Sequence, residues 1–143
     1  EPRKETSQPR RAMFKHGDEI ESLAYASTNI ARLLHRKRQE KIWFTQDLRN
    51  NINELFRLIR QALKIMITNL EKDYNTVSRE EADAVEAQIN QKRNILKQDH
   101  LENIEKGEYK YQAGVVYNDI ISFSEQLGDY VQNVTEAICE VKG

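Results

Sequence analysis

Residues 111–141 read YQAGVVYNDIISFSEQLGDYVQNVTEAICEV. Ala113, Val116, Ile120, Phe123, Leu127, Val131, Val134, Ile138 and Val141 recur every three or four residues, which places them on one stripe of an α-helix. At about 100° per residue, Asn118, Ser122, Glu125, Asp129, Gln132 and Glu136 fall on roughly the opposite stripe. The segment is therefore a helix with one dry face and one face rich in oxygen. Glu125 and Asp129, four residues apart, form an acidic pair with no cation in the same turn of that helix.

Working outward, the same period fills the rest of the chain. Pro2 and Pro9 are the only prolines, and no stretch alternates with the period of a strand. A first helix is expected over about 12–39, with Ile20, Leu23, Ala24, Ser27, Ile30, Ala31 and Leu34 as its inner stripe. The apolar bridge Lys41-Ile-Trp-Phe44 is expected to plug one end of the assembly. A second helix is expected over about 46–73, with Thr45 as N-cap and Asp47 in the first turn. Its stripe runs Leu48, Ile52, Leu55, Ile59, Ala62, Met66 and Leu70, widened by Phe56, Leu63, Ile65 and Ile67. Tyr74 to Val77 reads as a turn. Ser78 and Glu81 have the spacing of a capping box, and they open a third helix that Gly107 stops. That helix has few anchors: Ala82, Val85, Ile89, Leu96 and Ile104. Short connections favour antiparallel neighbours, so the expected fold class is all-α, an antiparallel up-down four-helix bundle.

The composition bounds the function. The chain has 143 residues, 31% of them charged, a single cysteine (Cys139) and a formal net charge of -1. Mean hydropathy is -0.80. That length suits one domain with a sizeable core, and no apolar run is long enough to span a bilayer. Near-neutral charge and scattered aromatics argue against a nucleic-acid binder. One cysteine excludes an internal disulfide. The polar, basic segment 1–11 reads as a linker or tail ahead of a domain over 12–143, and the chain itself as a fragment, mature product or excised domain.

The segment Glu125-Gln-Leu-Gly-Asp129, with Asn133 four residues on, resembles the signature of PhoU-like domains, a motif close to ER-I-G/A-D-x-x-x-N-I. His100-Leu-Glu-Asn-Ile-Glu-Lys-Gly107, followed by Gly114 and Asn118-Asp119, resembles the matching connection in the cytoplasmic PhoU-like tails of bacterial Na+/phosphate cotransporter-like proteins. The resemblance covers about residues 85–136 and continues in register, more weakly, back to about 12. It implies a PhoU-like bundle on the cytoplasmic side of the bacterial inner membrane. It also implies a partner in the membrane-embedded transporter, within the same polypeptide or associated with it, with room for self-association. The implied role is regulation of phosphate transport by contact, not catalysis. Two alternatives stay open: a metal-binding surface-cluster protein and a free-standing phosphate-signalling adaptor.

The resemblance further implies a divalent or iron ion held by Glu/Asp-x-x-x-Asp motifs on the bundle surface, for which Glu125 and Asp129 are the matching pair. An offset of 104 residues aligns Glu21-Ser-Leu-Ala-Tyr25 with Glu125-Gln-Leu-Gly-Asp129, which adds Glu21 as a candidate ligand but puts Tyr25 where the second acid belongs. Asn90 likewise stands where such domains often carry an aspartate. Two carboxylates leave most of an oxygen shell to water, so a metal would be shared with a neighbour such as Glu21, Glu86 or a second molecule; a solvated acidic face is the simpler reading of the pair and the preferred one. The Glu-x-x-His spacing of di-iron bundles fails at His16, His35 and His100, and no HExxH, CxxC or glycine-rich phosphate loop is present. Gly128, mid-helix, reads as the close approach of a neighbouring helix. Arg32, Arg36, Lys37, Arg38 and Lys41 form a basic cluster suited to anionic lipid headgroups or a partner, or simply to the negative end of a helix dipole.

Overall fold

The structure, a computed structural model, describes the backbone of residues 2–72, 77 and 79–142, and the side chains of 18, 20–72, 77 and 79–140. It consists of four helices: α1 (Pro2–Gln39), α2 (Gln46–Glu71), α3 (Glu80–Glu105) and α4 (Tyr111–Lys142), with no strand among the described residues. The backbone is already helical at Pro2, so α1 passes through the segment read as a linker. The Ser78 cap and most of the turn before it lie outside the described residues.

The helix ends have physical causes. The side chain of Thr45 accepts a hydrogen bond from the Leu48 N–H at 3.2 Å and caps α2, as its sequence position predicts. At the end of α3, Gly107 takes a φ of 67°, the Glu108 N–H donates to the Asn103 carbonyl at 2.9 Å and the Gly107 N–H to that of Ile104 at 3.1 Å. This is the Schellman arrangement, which satisfies carbonyls that the helix leaves open. The end of α1 uses the same bonds with Lys41 at a φ of 53° in the glycine position, and buried Ile42 donates to the Lys37 carbonyl at 2.9 Å. Of the bridge that follows, Ile42 and Phe44 turn inward, whereas Trp43 is 67% exposed.

The α4 helix organises the bundle. It packs against α1, α2 and α3, while α2 also packs on α3. Its apolar stripe is buried as expected, from Ala113 through Val116, Ile120, Leu127 and Val131 to Val134 and Ile138. Leu48, Ile52, Leu55, Ile59 and Ala62 of α2, and Ala82, Val85, Ile89 and Leu96 of α3, close around it. Phe123 and Met66 pack against that core half-buried.

Three expectations are corrected. In α1 the inward row is Leu23, Ala26, Ile30, Leu33 and Lys37, while Ile20, Ala24, Ser27, Ala31 and Leu34 face outward, Ile20 by 62% and Leu34 by 38%. The α1 backbone comes close to that of α4 alone, and a single partner buries only a narrow row. Two rows one position apart, Ala26–Leu33 and Ser27–Leu34, carry similar apolar spacing, and periodicity cannot choose between them. In α3, Ile104, in the last turn, is about half exposed, whereas His100 one turn earlier is buried. In α2, Ile67 and Leu70 are also about half exposed.

Candidate functional site

Three polar or mixed regions stand out: the α3–α4 seam, a bundle end and a groove between α1 and α2. The first is the α3–α4 seam around Gly128. A Cβ on Gly128 would lie 3.2 Å from Glu86 Oε2 and 3.2 Å from Ile89 Cγ2. The glycine is therefore there for the close approach of α3, the reading its sequence position suggests. The approach seats the Glu86 carboxyl against that of Asp129, and Asn90 Nδ2 donates to Glu86 Oε1 at 3.3 Å. Partial burial, then the hydrogen bond to Asp129 and its charge, push the Glu86 carboxyl up to about 7, against the opposing pull of Asn90 and Arg93. One turn along, Arg93 forms an ion pair with Glu125, and Lys97 Nζ lies 3.8 Å from the same carboxylate.

The seam thus divides the acidic pair proposed from sequence. Glu125 is neutralised by two cations from α3, and Asp129 meets a second acid. Glu21 does not join them. Its helix reaches α4 on another side, where Tyr25 packs edge-on to Phe123 at 6.4 Å, and Phe123 and Glu125 point about 200° apart around one helix. Among the described residues, no three His, Cys, Asp or Glu side chains stand close enough together to hold a metal ion. Glu86, Arg93 and Lys97 were legible as partners only through their spacing with Asn90, which puts all four on one face of α3.

The second region, at the bundle end, is aromatic. The His100 ring is buried, stacks on Tyr109 at 5.7 Å and hydrogen-bonds through Nδ1 with the Tyr109 hydroxyl. Burial lowers its pKa, which favours the neutral ring. Asn51 Nδ2 donates to the hydroxyl of Tyr117 at 3.2 Å, and burial pushes that phenol up to about 12. Gly114 leaves room for the group, since a Cβ there would lie 3.1 Å from the Tyr109 ring. These contacts join the α3–α4 connection to α2 and fit a structural role for His100. Cys139 is half-buried, and burial raises its thiol, which disfavours the reactive thiolate.

The third region is a groove of about 450 Å³ between α1 and α2, with walls from Leu34, Lys37 and Arg38 on one side and Phe44, Arg49, Ile52, Asn53 and Phe56 on the other. The Lys37 ammonium sits 4.8 Å over the Phe44 ring, and the Arg49 guanidinium lies 6.0 Å from that of Trp43. The sequence-predicted basic cluster is split by these contacts. Arg36 is paired with Glu40 at 3.0 Å, Arg32 and Lys41 are exposed, and Lys37 and Arg38 turn to the groove. Arg49 and Phe56, on the next helix, complete a surface that reading one helix at a time could not assemble. No helix of the described residues is long and apolar enough to cross a membrane. Comparison of the chain with protein-family models, curated proteins and solved structures returns no match.

Proposed function

We propose that this chain is a regulatory contact domain: an antiparallel up-down helical bundle of the PhoU-like kind, serving a Na+/phosphate cotransporter-related membrane protein from the cytoplasmic side of a bacterial inner membrane. The observation that carries the reading as a contact domain is the α1–α2 side, where a half-exposed apolar surface is bordered by cations. The sense of α3 against α4 supports the topology: Arg79 pairs with Glu136, Arg93 with Glu125, and the His100 ring lies 5.7 Å from that of Tyr117. The link to phosphate transport rests on the Glu125–Asn133 and His100–Gly107 resemblance. The domain acts by binding and release within the membrane assembly, with no chemical step of its own, and purified protein is expected not to turn over phosphate esters or anhydrides.

The test is sodium-dependent uptake of radiolabelled phosphate by cells making the polypeptide that contains this domain, with the domain intact or excised. Uptake that persists but loses its response to external phosphate supports the proposal. Uptake with the same response in both, or no phosphate uptake by either, refutes it.

The Glu86–Asp129 contact favours one competing reading, a divalent or iron ion shared between two helices through carboxylate oxygen. Elemental analysis and metal titration of wild type and Asp129→Asn decide it. A stoichiometric metal lost in the variant establishes the ion, and identical behaviour retires it in favour of two carboxyls sharing a proton.

A further inference from the structure

The groove between α1 and α2 lies where a further helix would pack. The two helices are joined by a short connection, yet their backbones do not approach one another, and both lean on α4 instead. Their facing rows stay open along their length. On α2 the row continues at helical spacing from Arg49 through Asn53, Phe56, Arg60 and Leu63 to Ile67, none of which is fully buried. On α1 it continues from Arg38 back through Leu34 and Ser27 to Ile20, again none of it fully buried. These are the apolar residues whose period predicts a buried stripe that α4 does not cover.

The charge lining the groove has one sign. Lys37, Arg38 and Arg49 line the groove, Arg60 extends it, and no carboxylate lines it. Among the described residues, no carboxylate pairs with any of these four cations. An apolar floor between two cationic edges, concave and parallel to the helices, has the shape and charge of a helix-accepting groove. A flat lipid surface would meet the rim and leave half-buried Phe56 uncovered.

We propose that the α1–α2 groove binds an amphipathic helix whose apolar stripe seats on Leu34, Phe56, Leu63 and Ile67, and whose flanking carboxylates meet Arg38, Arg49 and Arg60. This names the partner chemistry of the contact domain and rests on that reading. The helix belongs to a partner protein and carries its carboxylates on either side of the apolar stripe. Its carboxylates set orientation and encounter rate more than affinity, which the apolar stripe supplies.

The experiment uses a fluorescein-labelled helical peptide with leucine at the seam positions of three heptads and glutamate on both flanks, with a lysine-flanked isomer as control, titrated with the purified chain. Saturable binding of the acidic peptide is expected. It should be about tenfold tighter than that of the isomer and should weaken as salt rises. Arg38→Glu/Arg49→Glu, two exposed substitutions, should weaken it by about tenfold or more with the helical circular dichroism unchanged. Phe56→Asp should abolish it, and the charge-reversal variant decides if Phe56→Asp fails to fold. Equal affinity for both peptides, no saturation, or indifference to charge reversal overturns the proposal. So does a concentration-dependent dimer broken by the same variants, which would make a second copy the occupant. Binding of anionic phosphatidylserine vesicles but not peptide would assign the groove to lipid. Failure here, with phosphate uptake still responding to excision of the domain, strikes this inference alone and leaves the regulatory reading standing.

Discussion

The α3–α4 seam and the α1–α2 side are built from similar residues and differ in how close the backbones come. At the seam, Gly128 and Gly114 remove side chains where helices or rings must meet, and Glu86, Arg93 and Lys97 reach across. On the α1–α2 side, Ser27, Leu34, Asn53 and Phe56 hold no such approach, and cations stand at the edges without carboxylate partners. Sequence hydrophobicity alone does not mark the core. A small residue on one helix opposite a large one on its neighbour is what closes a seam.

The largest effect belongs to the closed seam. Ile89→Ala, at a fully buried residue facing Gly128, should cost about 2–5 kcal/mol; Leu127→Ala, within the buried α4 stripe, belongs to the same class. Urea unfolding followed by circular dichroism measures both, and a neutral Ile89→Ala would mean that the seam is loose. Next comes Gly128→Ala. Helix propensity alone favours it by about 1 kcal/mol, but the new methyl meets Ile89 Cγ2 at 3.2 Å, a group fixed close to its own backbone. Overpacking costs about 1–3 kcal/mol, so a net loss of about 1 kcal/mol is expected in thermal unfolding, and a gain would show that α3 can retreat.

Glu86→Gln probes the same seam through pH. A carboxyl whose pKa rises on folding from an ordinary 4.5 to about 7 contributes stability that is complete below about pH 4.5 and is lost as pH climbs toward 7. Glutamine removes the repulsion from Asp129 that remains above that window. The variant should therefore be more stable than wild type at pH 8 by about 1 kcal/mol, allowing for solvent screening, with the advantage gone at pH 5. Melting temperatures at the two pH values check this, and an equal shift at both would contradict a Glu86 carboxyl raised by the fold. The smallest effect lies on the open side. Ile20→Gln should change stability by no more than about 0.5 kcal/mol, and a loss above 2 kcal/mol would mean that α1 is covered after all.

Much of this was legible in the chain, and the reasons differ by helix. The α4 stripe was readable because it is flanked by packing partners on several sides and its apolar row is unambiguous. The Thr45 cap and the Gly107 stop were readable because each rests on local backbone chemistry. The choice of row in α1 was not, since Leu33 and Leu34 are adjacent and only the position of α4 selects the first. The acidic pair was readable as residues but not as a site. Glu125 and Asp129 look alike on α4, and their opposite surroundings, an ion pair and a second carboxyl, are set by Arg93 and Glu86 on a helix far away in sequence. The groove was least legible, because its two walls come from different helices and its meaning lies in a gap.

The central claim is that the open α1–α2 side is kept for contact and not for stability. It is tested most directly by placing Arg38→Glu/Arg49→Glu in the polypeptide that carries this domain and measuring sodium-dependent phosphate uptake across a range of external phosphate, with unfolding of the isolated domain measured in parallel. The account predicts an unfolding midpoint close to wild type and uptake that no longer responds to external phosphate. Wild-type regulation with the groove charge reversed would contradict it.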